Sequence, residues 1–158
     1  MPTTVITGST SGIGLEVAKG LAKKNHNLIL VSRNLEKLEY TKSFISKENK
    51  IHCEIYQHDL SLVEDNISFY EKVSKRFKNI DYLINNVGAI YMNRQETSEG
   101  LEKTFSLNHM SYFILSKMFL KQKERLRIIN VSSEAHRKIN LNFEDLQNKK
   151  NYNGWYAY

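Results

Sequence analysis

Gly8, Gly12 and Gly14 stand in one short run, TGSTSGIG at Thr7 to Gly14, directly after a β-branched segment. Such a run can hold a pyrophosphate. Gly8 lets the chain turn sharply as it leaves a strand, Gly12 leaves room for phosphate against bare backbone, and Gly14 lets the following helix pack close to its sheet. The phosphates would lie at a helix N-terminus, where unpaired N–H groups and the helix dipole favour negative charge. Ser9, Thr10 and Ser11 add hydroxyl donors. Gly8, Ser9, Ser11, Gly12, Ile13 and Gly14 therefore form one candidate phosphate site. Their spacing is GxxxGxG, not the GxGxxG of the standard dinucleotide fingerprint. An ordinary Gly/Ser turn is the competing reading, and the position after the first strand weighs against it.

Ser32-Arg33-Asn34 closes the second strand-like segment, about twenty residues past the loop. An acidic residue there would hydrogen-bond a ribose 2′-hydroxyl, whereas an arginine pairs with a 2′-phosphate. Neither Ser32 nor Arg33 is acidic, so Arg33 points to NADP(H) rather than NAD. The alternative is an Arg33 that is merely exposed.

These residues need a sheet to position them. Thr3–Thr7, Leu28–Val31, Ile51–Gln57, Ile80–Ile84 and Ile128–Val131 are short, β-branched or apolar, and read as strands. Between them lie helical patterns. Ile13, Val17, Ala18, Leu21 and Ala22 recur at helical spacing up to Lys24. Asn34 caps a helix through Lys47 that turns Leu35, Leu38, Phe44 and Ile45 inward. A third helix follows HDLS at 58–61 and ends near Phe77. After a loop from Asn85, Thr97 or Ser98 caps a long helix from Glu99 to Phe119. The segment from Glu134 onward is polar and reads as loop, with a short helical turn at Phe143–Gln147. Strand and helix alternate throughout, which predicts an α/β fold with a doubly wound parallel sheet in one domain over 1–158.

Lys and Arg number 23 against 17 Asp and Glu, a net charge of +6. The lysines fall in short runs such as KKN at 23–25 and KQKERLR at 121–127 and read as solvated helix faces. No dense basic tract interleaved with aromatics suggests a nucleic-acid partner. The five histidines lack a close metal-ligand spacing, so no metal is expected. Cys53 is the one cysteine and reads as a small packed residue. No apolar run reaches the about 18 residues of a membrane span, and Met1 is followed at once by a strand, so no membrane and a cytoplasmic location are expected. His109 reads as a packing residue or one that supports the site from behind, rather than a ligand, and Met110, Tyr112, Phe113, Met118 and Phe119 read as core. Trp155 and the tyrosines near it either line a cleft or lie disordered.

Further motifs fall in order along the chain. Asp59-Leu60 follows the third strand, Asn85-Asn86-Val87-Gly88 the fourth, Asn108 lies in the long helix, and Ile129-Asn130-Val131-Ser132-Ser133 forms and ends the fifth strand. Together with the glycine loop, this set resembles the short-chain dehydrogenase/reductase family. VSSEAHRK and FEDLQNKKNYNGWYAY resemble its retinol-dehydrogenase-like branch. The resemblance covers essentially the whole chain. It implies a Rossmann-like sheet of order 3-2-1-4-5 and an oxidoreductase that moves a hydride between NADP(H) and a small, apolar carbonyl or alcohol substrate. It implies that Asp59, with Leu60 beside it, meets the adenine, and that Asn85, Asn86 and Gly88 run near the adenosine ribose and stabilise the sheet. It assigns Ser133 to orient substrate, Tyr158 to exchange the proton, and Asn108 to support the relay.

One departure stands out. The family places a lysine four residues after its tyrosine, and here the chain stops at Tyr158. The chain is therefore expected to be the N-terminal part of such an enzyme, without the final strands and substrate-binding segment. Tyr158 would lose a cation that lowers its phenol pKa and gain its own carboxylate, so this polypeptide is expected to be a poor catalyst. The fifth strand would be an apolar edge open to self-association. A non-catalytic NADP(H)-binding module or decayed enzyme and, last, an RNA-binding protein are the competing functions.

Overall fold

The computed structural model describes residues 1–121 and 125–158; the middle of the KQKERLR run, read as a solvated helix face, lies outside them. The strands are β1 (Thr3–Thr7), β2 (Asn27–Ser32), β3 (Cys53–Gln57), β4 (Tyr82–Asn85) and β5 (Arg127–Asn130). They form one parallel sheet of order β3-β2-β1-β4-β5. The order bears out the doubly wound topology expected from the sequence.

The period-2 pleat of the central strands divides their side chains between two apolar layers. Val5, Ile29, Val31 and Leu83 face Phe69, Val73, Leu115 and Phe119. These last four lie on α3 (Val63–Arg76) and α5 (Ser111–Phe119). Ile6, Leu28, Leu30 and Ile84 face Ala18, Ala22, Leu38 and Ile45. Those lie on α1 (Gly12–Lys23) and α2 (Leu35–Glu48). Helices on both faces explain why β2 reads as an unbroken apolar run over Leu28–Val31.

Asn34 caps α2 as expected, accepting from the Lys37 N–H at 2.8 Å. Leu35 and Phe44, expected inward, are instead exposed, and Thr41 takes the inner face between Leu38 and Ile45. Thr41 can do so because its hydroxyl donates to the Lys37 carbonyl at 2.8 Å. Lys23, Lys24 and Asn25 are exposed, as the charge pattern suggested. Cys53 is buried, and burial pushes its thiol up to about 11.

The long helix begins later than its sequence suggested. Thr97 to Gly100 form a tight reversal, with Glu96 bridged to Glu102, so neither Thr97 nor Ser98 caps the helix. Glu102 caps it instead, accepting from Thr104 N–H at 2.8 Å and Phe105 N–H at 2.7 Å. From there α4 (Lys103–Phe105) runs through a π-helical stretch, Ser106–Met110, into α5. Phe143–Gln147 is turn rather than helix. Short helices form at Glu134–Lys138 (3₁₀) and at Gly154–Ala157 (α6), each capped by the side chain before it, Ser133 and Asn153.

Candidate functional site

A groove of about 990 Å³ opens over the carboxyl ends of all five strands. Successive strands depart from β1 in opposite directions, to β2 on one side and β4 on the other. That switch point is where open α/β sheets bind ligands.

At its centre lies the glycine loop. Gly8, Ser11, Gly12 and Ile13 line the groove. Ser11 is the N-cap of α1, yet its side chain makes no capping bond, and the first turn holds no acidic residue. The leading N–H groups of α1 are thus left without a side-chain acceptor, which is the arrangement an anion requires. Gly12 adopts φ +51°, and a Cβ placed on it would meet nothing within 4 Å, so its backbone stands open to the groove. Gly14 lies beneath. A Cβ there would sit 2.3 Å from the Gly8 carbonyl oxygen and 2.4 Å from Asn86 Nδ2. Gly14 and the wholly buried Ser9 do not line the groove, so their part is to shape the loop. Ile13, expected to pack inward, is 64% exposed at the groove edge. A diphosphate fits this cradle.

Asn86 fastens the loop to β4. Its Nδ2 donates to the Thr7 and Gly8 carbonyls at 3.0 and 3.2 Å. Thr7 Oγ1 accepts from the N–H groups of Asn86 and Val87 at 2.9 and 3.0 Å. Asn85 is turned the other way. Wholly buried, it donates to Ser116 Oγ at 3.0 Å and to Asn130 Oδ1 at 2.9 Å, tying β4 to α5 and β5. It holds the sheet and does not border the groove.

Arg33 lies exposed at the end of β2 and borders the groove, as does Lys37 one helical turn on. Thr10 Oγ1 and Ser32 Oγ, 3.2 Å apart, close the wall between loop and β2. Asp59 and the nearly buried Leu60 line the neighbouring wall after β3. The Asp59 carboxylate accepts from Ser61 N–H and Oγ at 3.0 and 2.8 Å. Beside them His58, 6% exposed, accepts at Nε2 from Lys72 Nζ (3.2 Å), with Nδ1 facing Asp65 at 3.5 Å. Burial first, and Lys72 second, hold its pKa below the usual imidazole value, against the pull of Asp65.

At the far end the groove meets Asn108, Ser133 and Tyr158. Asn108 sits inside the π-helical stretch. It locks onto Ala89, accepting from its N–H at 2.9 Å and donating to its carbonyl at 2.8 Å. Gly88 passes so close that a Cβ would lie 3.0 Å from Asn108 Oδ1. The Ser133 hydroxyl accepts from Ala135 N–H at 3.2 Å. Tyr158 follows α6, its N–H donating to the Gly154 carbonyl at 3.3 Å.

Sequence reasoning missed several lining residues, among them Lys37, His58, Tyr112 and His136. Lys37 was within reach, being one turn after Arg33 on a helix whose cap was identified. Tyr112, read as core, borders the groove; burial, and then Tyr158, push its phenol up to about 12. Of the other residues read as core, Phe119 is buried and Phe113 is exposed. His109 stacks on Phe105, a packing role. Trp155 and Tyr156 are exposed outside the groove. Among the described residues no cluster of His, Cys, Asp and Glu could hold a metal, and no helix is long and apolar enough to cross a membrane.

The family model described as short chain dehydrogenase matches residues 2–144. The chain belongs to the short-chain dehydrogenase family. Among relatives it is similar to retinol dehydrogenase 13 of Homo sapiens, 34% identical over 99% of this chain and 49% of the relative. Retinol dehydrogenase 12 of Mus musculus is 33% identical over 98% of this chain and 50% of its own length. The chain thus spans about half the length of these relatives. Among solved structures, the short-chain dehydrogenase from Sphingobium yanoikuyae in complex with NADPH superposes with a TM-score of 0.73 at 28% identity, over 85% of this chain and 55% of that one.

Proposed function

We propose that this chain binds NADP(H) and bears the hydride-transfer site of an oxidoreductase acting on a small carbonyl or alcohol. The observation that carries the proposal is the open N-terminus of α1, facing a groove with bare backbone at Gly12 and no acidic residue in its first turn. Arg33 and Lys37 supply positive charge where a 2′-phosphate would lie. The solved NADPH complex of a family member supports the same cofactor.

The bound nicotinamide would supply or take a hydride. The chain's own residues would do the rest. The α1 N-terminus would hold the pyrophosphate and Asp59 the adenine side. Ser133 would donate a hydrogen bond to the substrate oxygen, and Tyr158 would exchange its proton with that oxygen. Asn108 would hold the groove wall in place through Ala89. Similarity to retinol dehydrogenases favours an apolar substrate.

Titration with NADPH and NADH tests the reading. NADPH should bind at least tenfold more tightly. Equal affinity would remove the 2′-phosphate assignment, and no binding of either would remove the nucleotide site. A polypeptide ending at Tyr158 has a phenol but not the lysine that the family places beyond it. We expect it to oxidise NADPH poorly against aldehydes and ketones, and turnover equal to that of intact family members would refute this. The exposed β5 edge would favour self-association.

A further inference from the structure

Tyr152 lies outside the groove, yet three partners distant in sequence converge on its hydroxyl. Its hydroxyl donates to the Tyr91 carbonyl at 2.7 Å, meets Thr104 Oγ1 at 3.1 Å, and lies 3.4 Å from Glu102 Oε1. Burial raises its pKa, so the phenol keeps the proton that it donates. Glu102 is wholly buried and is the cap that starts the helical run bearing Asn108. Gln147 joins the same cluster: its Oε1 accepts from Glu102 N–H at 2.7 Å, and its carbonyl accepts from Arg94 Nε at 3.3 Å. Just beyond Tyr152, Gly154 packs on the backbone of Tyr91 and Met92. A Cβ there would come 2.5 Å from the Tyr91 carbonyl oxygen and 2.7 Å from Met92 Cα. Gly154 opens α6, which ends beside Tyr158.

We infer that Tyr152 is a positioning residue for Tyr158, clasping the segment that carries the phenol onto the same Glu102 cap that sets the Asn108 helix. One hydroxyl therefore fixes the separation between two walls of the groove, and Gly154 lets the clasp close. The inference rests on the proposed reading for its catalytic meaning, while the clasp can be tested without it.

The first measurement is hydrogen exchange of residues 153–158 in this chain, with NADPH affinity measured in parallel. In Tyr152→Phe the ring stays and the hydroxyl goes. Exchange across 153–158 should rise at least tenfold, while the NADPH dissociation constant stays within about twofold, since the α1 cradle is untouched. Gly154→Ala, which keeps the hydroxyl and blocks the approach, should give the same signature if Tyr152→Phe folds poorly. Where turnover can be measured, both variants should lower kcat at least tenfold with KM for NADPH unchanged. Unaltered exchange at 153–158 in both variants would overturn the clasp. Faster exchange with unaltered kcat would overturn the positioning role. Absence of NADPH binding by the unsubstituted chain would count against the proposed function instead and leave the exchange result to be judged alone.

Discussion

At the scale of single residues, charge and burial around the groove make separable predictions. Arg33 is exposed, so its contact with a 2′-phosphate would be a partly solvated, charge-assisted one, worth about 1.5 kcal/mol. Arg33→Ala should therefore weaken NADPH binding about tenfold and leave NADH within twofold, as measured by fluorescence titration. Lys37→Ala should act in the same direction and less strongly. His58 makes a prediction about stability. Burial and Lys72 lower its pKa in the folded protein, so the unfolded chain takes up a proton at higher pH than the native one. Stability should then be lost as pH falls through the ordinary imidazole value of about 6.5. The Tm of the protein should drop more between pH 7 and pH 5 than that of His58→Gln; equal slopes would remove His58 from the account.

Elements set the next level. The loop before α1 uses its glycines for different reasons, and two substitutions separate them. Gly12→Ala meets no atom but must hold a positive φ, which costs about 1 kcal/mol. It should fold and still bind NADPH less well, because its methyl stands in the open cradle. Gly14→Ala drives a Cβ into the Gly8 carbonyl and Asn86 amide, so strain between α1 and β4 should lower Tm sharply before cofactor is considered. Denaturation and NADPH titration of the two variants should therefore diverge, the first losing mainly affinity and the second mainly stability. Glu102 belongs to this scale too. Glu102→Ala leaves the Thr104 and Phe105 N–H groups without an acceptor and should cost about 1–3 kcal/mol in urea unfolding.

For the whole molecule, the sheet's change of direction at β1 and β4 creates the groove, and both apolar layers depend on the inner strands. Among the described residues β3 and β5 are the sheet's edges. β5 is mostly exposed, with Ile129 at 41%, and pairs with β4 alone among the described strands. An apolar edge with free backbone groups invites pairing with a second copy. For a polypeptide of residues 1–158, we expect sedimentation velocity to show concentration-dependent association, reduced by Ile129→Lys. A monomer at all concentrations would remove β5 as an associating edge.

The parallel α/β alternation and the location of the glycine loop were legible from local pattern, whereas the strand order came from the family resemblance. Alternating apolar segments fix strands and helices, parallel connections fix which faces must be covered, and glycine marks both where a side chain cannot fit, at Gly8 and Gly14, and where the backbone takes a positive φ and stays open, at Gly12. The helix register on α2 was only half legible, since an amphipathic stripe does not say that Thr41 will satisfy its own hydroxyl and displace Phe44. The start of the Asn108 helix was misplaced because Thr97 and Ser98 have good capping chemistry, while the true cap, Glu102, works through a buried carboxylate. What only the tertiary structure decided are the contacts between distant segments: Asn85 turned into the sheet, Tyr112 brought to the groove, Asn108 locked to Ala89, and Tyr152 seated on Tyr91. Each joins segments whose meeting depends on how the layers close, and short-range spacing carries no record of that.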